Sequence, residues 1–189
     1  ISDTINTTTV SISGDGSVAE GASAGYTVSL TSPAQSAVTV NLSYSGTAAN
    51  GSDFSGVLSV TIPAGASSAS FSIATIDDAL VETAESFTVG IASASGGNFE
   101  NLAISGSNGS VSTAITDNDT TTLSVSSPTI SEDAGYAEFT VSLSNASSQT
   151  TTVSLALANG SASSADFGPA LEVSTDGGAT WIAATEATI

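Results

Sequence analysis

The amino-acid sequence predicts an all-β protein, an antiparallel immunoglobulin-like β-sandwich that is repeated in tandem. Three observations lead to this prediction. Apolar and polar residues alternate in short runs rich in β-branched side chains, and Gly, Ser, Asn and Pro separate the runs. No stretch has the period of an amphipathic helix. The pattern of the first part of the chain then begins again further along.

Seven strands are predicted in the first copy of the pattern. Their alternating apolar positions include, in chain order, Val10 and Ile12; Tyr26, Val28 and Leu30; Val38, Val40 and Leu42; Leu58, Val60 and Ile62; Phe71 and Ile73; Phe87, Val89 and Ile91; and Val111 and Ile115. In each run one side of the strand is apolar, so we expect that side to face the interior. Seven short strands of this kind fit two packed antiparallel sheets of the immunoglobulin type.

The repeat has a constant spacing. The corresponding segments are residues 7–11 and 120–124, residues 27–30 and 140–143, and residues 53–54 and 166–167. The offset is 113 residues in all three cases, and the sequence Thr-Val-Ser-Leu returns unchanged in the second pair. Three matches with one offset indicate a tandem repeat rather than chance similarity in a chain rich in Ser and Thr.

The repeat divides the chain into three predicted parts. Residues 1–6 are similar to the close of the repeat at Ile115–Asn118, and we interpret them as the end of a preceding repeat or a linker. Residues 7–119 form a complete sandwich. Residues 120–189 form an incomplete second copy, with an inserted hairpin around the Gly-Gly turn in 171–181. Because half a sandwich exposes core and unpaired edges, we expect this copy to borrow strands or to be poorly ordered in isolation.

The charge balance excludes several functions. The chain has 18 Asp and Glu residues, no Lys, Arg or His, and a formal net charge of −18. Without basic side chains it cannot neutralise phosphates, so nucleic acid is not an expected partner. No apolar run is long enough for a membrane span, so direct membrane insertion is not expected either.

Four carboxylates lie within the ten residues from Ile76 to Glu85. Like charges a few ångströms apart repel by about 1 kcal/mol per pair even in water, and no side chain of this protein can neutralise them. Ordering such a cluster therefore requires a cation from solution. Because the chain offers oxygen ligands and no Cys or His, Ca²⁺ is favoured over transition metals.

Further acids lie at predicted strand ends, and the whole set resembles the layout of a Calx-beta domain. In chain order the matching positions are Glu20, Asp53, Asp77, Asp78, Glu82, Glu85 and the Asp117-Asn118-Asp119 terminus. The resemblance implies that these acids converge at one end of the sandwich and bind Ca²⁺. The second copy keeps only Glu132, Asp133 and Asp166, which we interpret as an incomplete second site.

Tandem Calx-beta-like modules with a Ser/Thr-rich, Lys-poor sequence also resemble the extender regions of giant bacterial surface adhesins. This resemblance implies an extracellular location at the bacterial cell surface and a role as a calcium-stiffened spacer. Its partners would be neighbouring repeats of the same polypeptide or like chains.

Other interpretations stay open at this point. Sheet edges could exchange or pair strands between chains and so form filaments. The acids could also merely decorate solvated loops, and the Thr runs could contact sugar or ice. An enzyme is not expected, because serine catalysis lacks a His or Lys base and the acid pairs have no nearby cleft-lining aromatic residues.

Overall fold

The computed structural model describes residues 6–163 and 165–189. Apart from Asn6, the predicted first part of the chain, residues 1–6, lies outside the described residues. The chain divides between Thr120 and Thr121 into two compact units, called unit 1 and unit 2 in chain order.

Unit 1 has ten described strands. They are β1 (Thr7–Gly14), β2 (Ser17–Ala19), β3 (Ser23–Leu30), β4 (Val38–Gly46), β5 (Phe54–Ser55), β6 (Ser59–Ile62), β7 (Ser68–Thr75), β8 (Glu85–Gly96), β9 (Asn101–Ile104) and β10 (Ser110–Thr116). One sheet has the order β5-β7-β3-β1-β9, and the other has the order β2-β10-β8-β4-β6. The two sheets share one hydrophobic core, so the predicted immunoglobulin-like β-sandwich is confirmed.

Most strand pairs are antiparallel, as predicted, but two pairs at sheet edges are parallel. β1 pairs with β9 and β2 pairs with β10 in the parallel sense. After Gly14 the chain leaves the first sheet and joins the second at Ser17. It does so without a hairpin, so β2 does not reverse onto β1 and instead meets the edge of β10 in the same direction.

The core of unit 1 comes from the inward residues of both sheets. Phe54 of one sheet stacks on Phe87 of the other, with ring centroids 4.3 Å apart. Tyr26 is buried and stacks on the partly buried Phe71 of the neighbouring strand at 5.3 Å. Each large side chain buried in this way contributes about 1.5–3 kcal/mol, so this core is the main source of stability of unit 1.

One predicted inward position is wrong. Leu58 is 80% exposed and lies just before β6, which begins at Ser59. Its carbonyl accepts the backbone N–H of Leu42, but Leu58 lies beyond the last β4–β6 pair, which is Asn41 with Ser59. Because Leu58 lies outside the strand, strand pairing does not fix the side on which its side chain lies.

Unit 2 has six described strands in three two-stranded ladders. The strands are β11 (Leu123–Val125), β12 (Val141–Leu143), β13 (Thr152–Ser154), β14 (Glu172–Val173), β15 (Ile182–Ala183) and β16 (Glu186–Thr188). β11 pairs with β12, β13 with β16, and β14 with β15, and a single 3₁₀ turn covers Glu132–Ala134. Across the described residues of the chain, no helix has the length and apolar character needed to cross a membrane.

The β11–β12 ladder of unit 2 has the register of the β1–β3 ladder of unit 1, and the β13–β16 ladder resembles β4–β6. Val10 pairs with Leu30 in unit 1, and Leu123 pairs with Leu143 in unit 2. Similarly, residues 39 and 61 pair in unit 1, and residues 152 and 188 pair in unit 2. The offset is 113 residues for the first pair and for residue 152, whereas residue 188 lies 127 residues after residue 61, on the far side of the predicted inserted hairpin.

The described residues of unit 2 form much less core. Val153, at 7% exposure, is the buried apolar residue of this unit. Many of its large apolar side chains are exposed, namely Leu123, Val125, Ile130, Tyr136, Phe139, Leu157, Trp181, Ile182 and Ile189. Unit 2 therefore has strand pairs without a comparable apolar interior.

Candidate metal centre

Strand pairing brings the predicted acids of unit 1 to the same end of the sandwich. β2 and β10 are parallel with Ala19 opposite Thr116, so Glu20 and Asp117 follow paired residues. β8 starts where β10 finishes, because Glu85 lies opposite Ile115. The acids that follow β2 and β10 therefore lie beside the acid that begins β8.

The adjoining strand pair of the first sheet brings in three further acids. Phe54 of β5 lies opposite Thr75 of β7, and the backbone N–H of Ile76 donates to the carbonyl of Asp53 at 2.9 Å. Asp53 therefore lies beside the chain that leads into Asp77 and Asp78. All of these positions are strand ends, which is why the acids can approach one another without disturbing the ladders.

Asp117 organises the centre of this end through backbone hydrogen bonds. One carboxylate oxygen accepts the backbone N–H of Glu82 at 2.8 Å, and the other accepts the backbone N–H of Asp119 at 2.8 Å. Because Glu82 belongs to the acidic stretch and Asp119 to the end of unit 1, this one side chain ties the two segments together.

Asn118 forms a second connection. Its side-chain amide donates to the carbonyl of Glu20 at 3.2 Å and to Asp77 Oδ1 at 3.1 Å. The backbone at Gly21 lies close to Asp77, since a Cβ at position 21 would lie 3.0 Å from Asp77 Cβ. The φ of Gly21 is +71°, a conformation that also favours glycine. The segments that carry Glu20, Asp77 and Asp117 are thus fixed to one another before any ligand is considered.

Three carboxylates form a compact group suited to a cation. One oxygen from each of Glu20, Asp117 and Asp119 lies within 4.8 Å of the other two, and all three residues are half-buried. Asp119 Oδ2 is buried and has no hydrogen-bond donor. A buried carboxylate oxygen without a donor is costly, and a hard cation is the partner that would satisfy it. The residues present therefore fit a calcium ion.

A second group of acids borders the first. A small cleft, with room for about one water-sized group, is lined by Glu20, Asp53, Glu82, Thr83, Glu85, Ile115 and Asp117. Asp53 and Glu82 both repel Glu85, so negative charge accumulates around this cleft as well.

The pKa values of the half-buried acids reflect this crowding. Loss of hydration raises the pKa of Glu20, and repulsion from Asp78 and then Asp117 raises it further. Loss of hydration likewise raises the pKa of Asp119, with Asp117 as its strongest repelling neighbour.

The glutamates of the acidic stretch behave in the same way. Loss of hydration is the largest cause of the raised pKa of Glu82, followed by repulsion from Asp53. For Glu85, loss of hydration is followed by the interaction with Asp53, which favours the protonated form of Glu85, and its pKa also lies above the ordinary value of 4.5. The folded chain thus disfavours the charged forms, and a bound cation would favour them.

The acids of unit 2 do not form such a group within the described part of the chain. Glu132 and Asp133 are exposed on the 3₁₀ turn. Asp166 is exposed and accepts hydrogen bonds from Ser163 N at 2.8 Å and Ser163 Oγ at 3.0 Å, which lower its pKa. The three acids of the predicted incomplete second site are thus not among the close carboxylate groups that the structure describes.

The predicted site residues fall into three sets. Glu20, Asp117 and Asp119 form the compact group, whereas Asp53, Glu82 and Glu85 border the adjoining cleft. Asp77 and Asp78 are exposed beside these two groups, and their charges repel Asp119. The hydrogen bonds donated by the side-chain amide of Asn118 were not predicted, although Asn118 itself belongs to the predicted Asp-Asn-Asp terminus. The close approach of Gly21 to Asp77 was not predicted either, and no sequence pattern indicates it.

Comparisons with known proteins match two families. A LapA domain model matches residues 6–118, which is more than half of the chain, and a Calx-beta domain model matches residues 115–170. The predicted resemblance to Calx-beta domains is thus confirmed for residues 115–170. No curated protein matches the sequence significantly.

Solved structures support the same fold. The apo form of the Calx CBD1 domain has a TM-score of 0.51 and 23% identity, with 59% of this chain and 98% of that chain covered. CBD12 from CALX1.2 has a TM-score of 0.50 and 23% identity, with 59% of this chain and 46% of that chain covered. At this identity the likeness concerns the fold alone. With the LapA domain model matched over residues 6–118, the chain belongs to the LapA domain family.

Proposed function

We propose that unit 1 binds Ca²⁺ at its acidic end and serves as a structural repeat, a stiff spacer in an extracellular bacterial surface adhesin or fibre. The observation that carries the calcium proposal is the group of Glu20, Asp117 and Asp119, whose oxygens lie within 4.8 Å of one another. Asp119 Oδ2 in this group is buried without a donor. A cation at this position would satisfy that oxygen and remove the mutual repulsion.

The chemistry of the group favours Ca²⁺ among cations. The ligand atoms are carboxylate oxygens, and the chain contains no Cys or His that would select a transition metal. Calcium accepts six to eight oxygen ligands in flexible geometry, which suits acids contributed by several loops. The Calx-beta family, whose model matches residues 115–170, is a calcium-binding family and supports the same choice.

The position of the acids in the chain supports the proposed spacer role. Asp117 and Asp119 are the last acids of unit 1, and the boundary between the units follows Thr120. A cation held by these two residues would restrict the backbone that leads out of unit 1. The equal ladder registers of the two units support a tandem repeat. A series of such modules, each restricted at its end, would form an extended and stiff rod.

Calorimetric titration with a matched pair of variants tests the calcium proposal. Asp53 and Asp166 occupy equivalent positions in the repeat, and each accepts hydrogen bonds within its own loop. Only Asp53 borders the acidic cleft. We expect wild type to bind Ca²⁺ at millimolar concentration or below. Asp53→Asn should weaken binding, whereas Asp166→Asn should leave it unchanged.

Two results would count against the calcium proposal. Wild type that releases no heat and shows no saturation at millimolar Ca²⁺ would mean that the acids are only a solvated face. Equal weakening by Asp53→Asn and Asp166→Asn would mean that binding depends on total charge rather than on the acidic end of unit 1.

A second candidate function is self-assembly into filaments through unit 2. The observation that favours it is the set of exposed apolar side chains in unit 2, including Leu123, Val125 and Phe139, beside ladders of only two strands. Ladders of this kind can accept a further strand from another chain. Electron microscopy and sedimentation of the purified chain would test it, and dispersed monomers at high concentration would exclude it.

A further inference from the structure

The turn that carries Glu20 connects β2 of one sheet to β3 of the other, and a buried hydroxyl group contacts this turn. Thr75 is the last residue of β7 and is only 6% exposed. Its hydroxyl lies 3.0 Å from the carbonyl oxygen of Ala19 and 2.9 Å from that of Ala22. These two carbonyls flank Glu20 and Gly21, so one side chain contacts both ends of the turn.

Backbone hydrogen bonds complete the attachment of this turn. The Thr75 N–H donates to the carbonyl of Ala22 at 2.8 Å, and the Ala22 N–H donates to that of Ala19 at 3.2 Å. The Glu20 N–H donates to the carbonyl of Thr116 at 3.0 Å. Thr116 belongs to the sheet of β2 and β10, whereas Thr75 belongs to the sheet of β3 and β7. The turn is therefore held between the two sheets.

The hydroxyl of Thr75 is not required to satisfy these carbonyls. Ala19 and Ala22 each accept a backbone N–H as well, so loss of the hydroxyl leaves neither oxygen without a donor. The fold should accordingly tolerate its removal. What the hydroxyl adds is a fixed position for the turn, and hence for the carboxylate of Glu20.

We propose that Thr75 is a positioning residue that holds Glu20 in its binding position before the cation arrives. This inference rests on the proposed calcium function of unit 1. Thr75 contacts the backbone beside Glu20 and contributes no ligand atom. Because ordering a flexible ligand opposes binding, a turn fixed in advance gives tighter binding. Substitution of a residue that holds a metal ligand in position typically lowers metal affinity by about 10–100-fold.

Two substitutions at Thr75 separate positioning from packing. Thr75→Val keeps the shape and removes the hydroxyl, whereas Thr75→Ser keeps the hydroxyl and removes the methyl group. In calorimetric titration we expect Thr75→Val to weaken Ca²⁺ binding by about 10-fold. Thr75→Ser should stay within about 2-fold of wild type, because it keeps the bonds on which positioning depends. A purely structural role would give the opposite order, since Ser leaves a gap in the core.

Amide hydrogen exchange in Ca²⁺-free protein gives a second measurement that does not depend on binding. The amides of Glu20 and Ala22 should exchange faster in Thr75→Val than in wild type or Thr75→Ser. Unchanged calcium affinity in Thr75→Val, or equal losses in both variants, would overturn the inference while leaving the calcium function intact. If wild type itself binds no Ca²⁺, the proposed function fails and this inference fails with it.

Discussion

The acids of unit 1 and those of unit 2 have opposite surroundings. In unit 1, carboxylates face one another, and the pKa of Glu20 and Asp119 is raised. In unit 2, Asp176 accepts hydrogen bonds from Thr180 Oγ1 at 2.6 Å, from Thr180 N at 2.9 Å and from Ser174 Oγ at 2.7 Å, and these lower its pKa to about 2. Asp166 likewise bonds within its own loop. An acid whose own loop supplies donors has little need of a cation, whereas facing acids do.

The same contrast appears in the packing. Unit 1 has two five-stranded sheets around a core in which Phe54 and Phe87 stack. The described strands of unit 2 have matching registers but bury only Val153 among apolar residues. Equal strand pairing therefore does not produce an equal core, because a sandwich needs both sheets to cover its apolar faces.

The largest expected effect separates the two units by their cores. Phe87→Ala should destabilise unit 1 by about 3–5 kcal/mol, because it removes a fully buried ring and leaves a cavity. Val153→Ala should cost clearly less, since its surroundings are exposed. Urea unfolding can follow each unit separately, because the single Trp of the chain, Trp181, belongs to unit 2, whereas circular dichroism is dominated by the strands of unit 1. Equal losses in the two variants would contradict the contrast in packing.

A smaller effect is expected from two glycines with the same backbone conformation. Gly21 of unit 1 has φ +71°, and Gly177 of unit 2 has φ +73°. Alanine at either position should cost about 1–2 kcal/mol of strain. A Cβ at Gly21 would also press on Asp77, at 3.0 Å, whereas a Cβ at Gly177 would meet nothing within 4 Å.

Calcium titration distinguishes the two glycine variants. Gly21→Ala should weaken Ca²⁺ binding because it displaces Asp77, and Gly177→Ala should leave the affinity unchanged. The backbone strain is matched in the two variants, and only the neighbour of the added Cβ differs. If both variants bind Ca²⁺ like wild type, then the position of Asp77 does not matter to the site.

The smallest effect is a pH dependence with opposite signs in the two units. The raised pKa of Glu20, Glu82 and Glu85 means that folded unit 1 holds protons more tightly than the unfolded chain. Without Ca²⁺, unit 1 should therefore lose stability as the pH rises from the ordinary value of 4.5 through the folded-state pKa. The lowered pKa of Asp176 stabilises unit 2 above 3.8, and this contribution is lost as the pH falls to about 2.

Urea midpoints in chelator across this pH range would check both signs. The urea midpoint of unit 1 should be higher near pH 5 than near pH 7, because protonation removes the repulsion between the facing carboxylates. Excess Ca²⁺ should reverse this trend, because protons and the cation compete for the same oxygens. If Ca²⁺-free unit 1 instead becomes more stable from about pH 5 to about pH 7, the pKa values of its crowded acids are not raised.

Much of the fold of unit 1 could be predicted from its sequence. All seven alternating runs include strand residues, because burial of one face imposes a two-residue period. The short strands β2, β5 and β9 were not predicted. β2 and β5 have three and two residues, too few for a period, and the four residues of β9 do not alternate in burial. All three pair with the edge of a neighbouring strand. Leu58 shows the other limit, since it precedes β6 and the alternation does not extend beyond the strand.

The candidate site could be predicted as a set of acids but not as an arrangement. The ordered acids from Glu20 to Asp119 stand out because the chain has no bases. Their contacts depend on which strand ends meet, and only the pairing of β2 with β10 and of β5 with β7 determines that. Thr75 could not be identified from the sequence, because a Thr in a Ser/Thr-rich strand has no distinguishing pattern before its neighbours are known.

The most direct test of the account is a thermal melt of the intact chain in excess Ca²⁺ and in chelator, with unit 1 followed by circular dichroism and unit 2 by Trp181 fluorescence. A ligand present at a thousandfold its dissociation constant stabilises the state that binds it by about 4 kcal/mol. With excess Ca²⁺ the midpoint of unit 1 should therefore rise by many degrees. Asp53→Asn should reduce this rise, and Asp166→Asn should not. Identical melts of unit 1 with and without Ca²⁺ would contradict the claim that its acidic end is a calcium site.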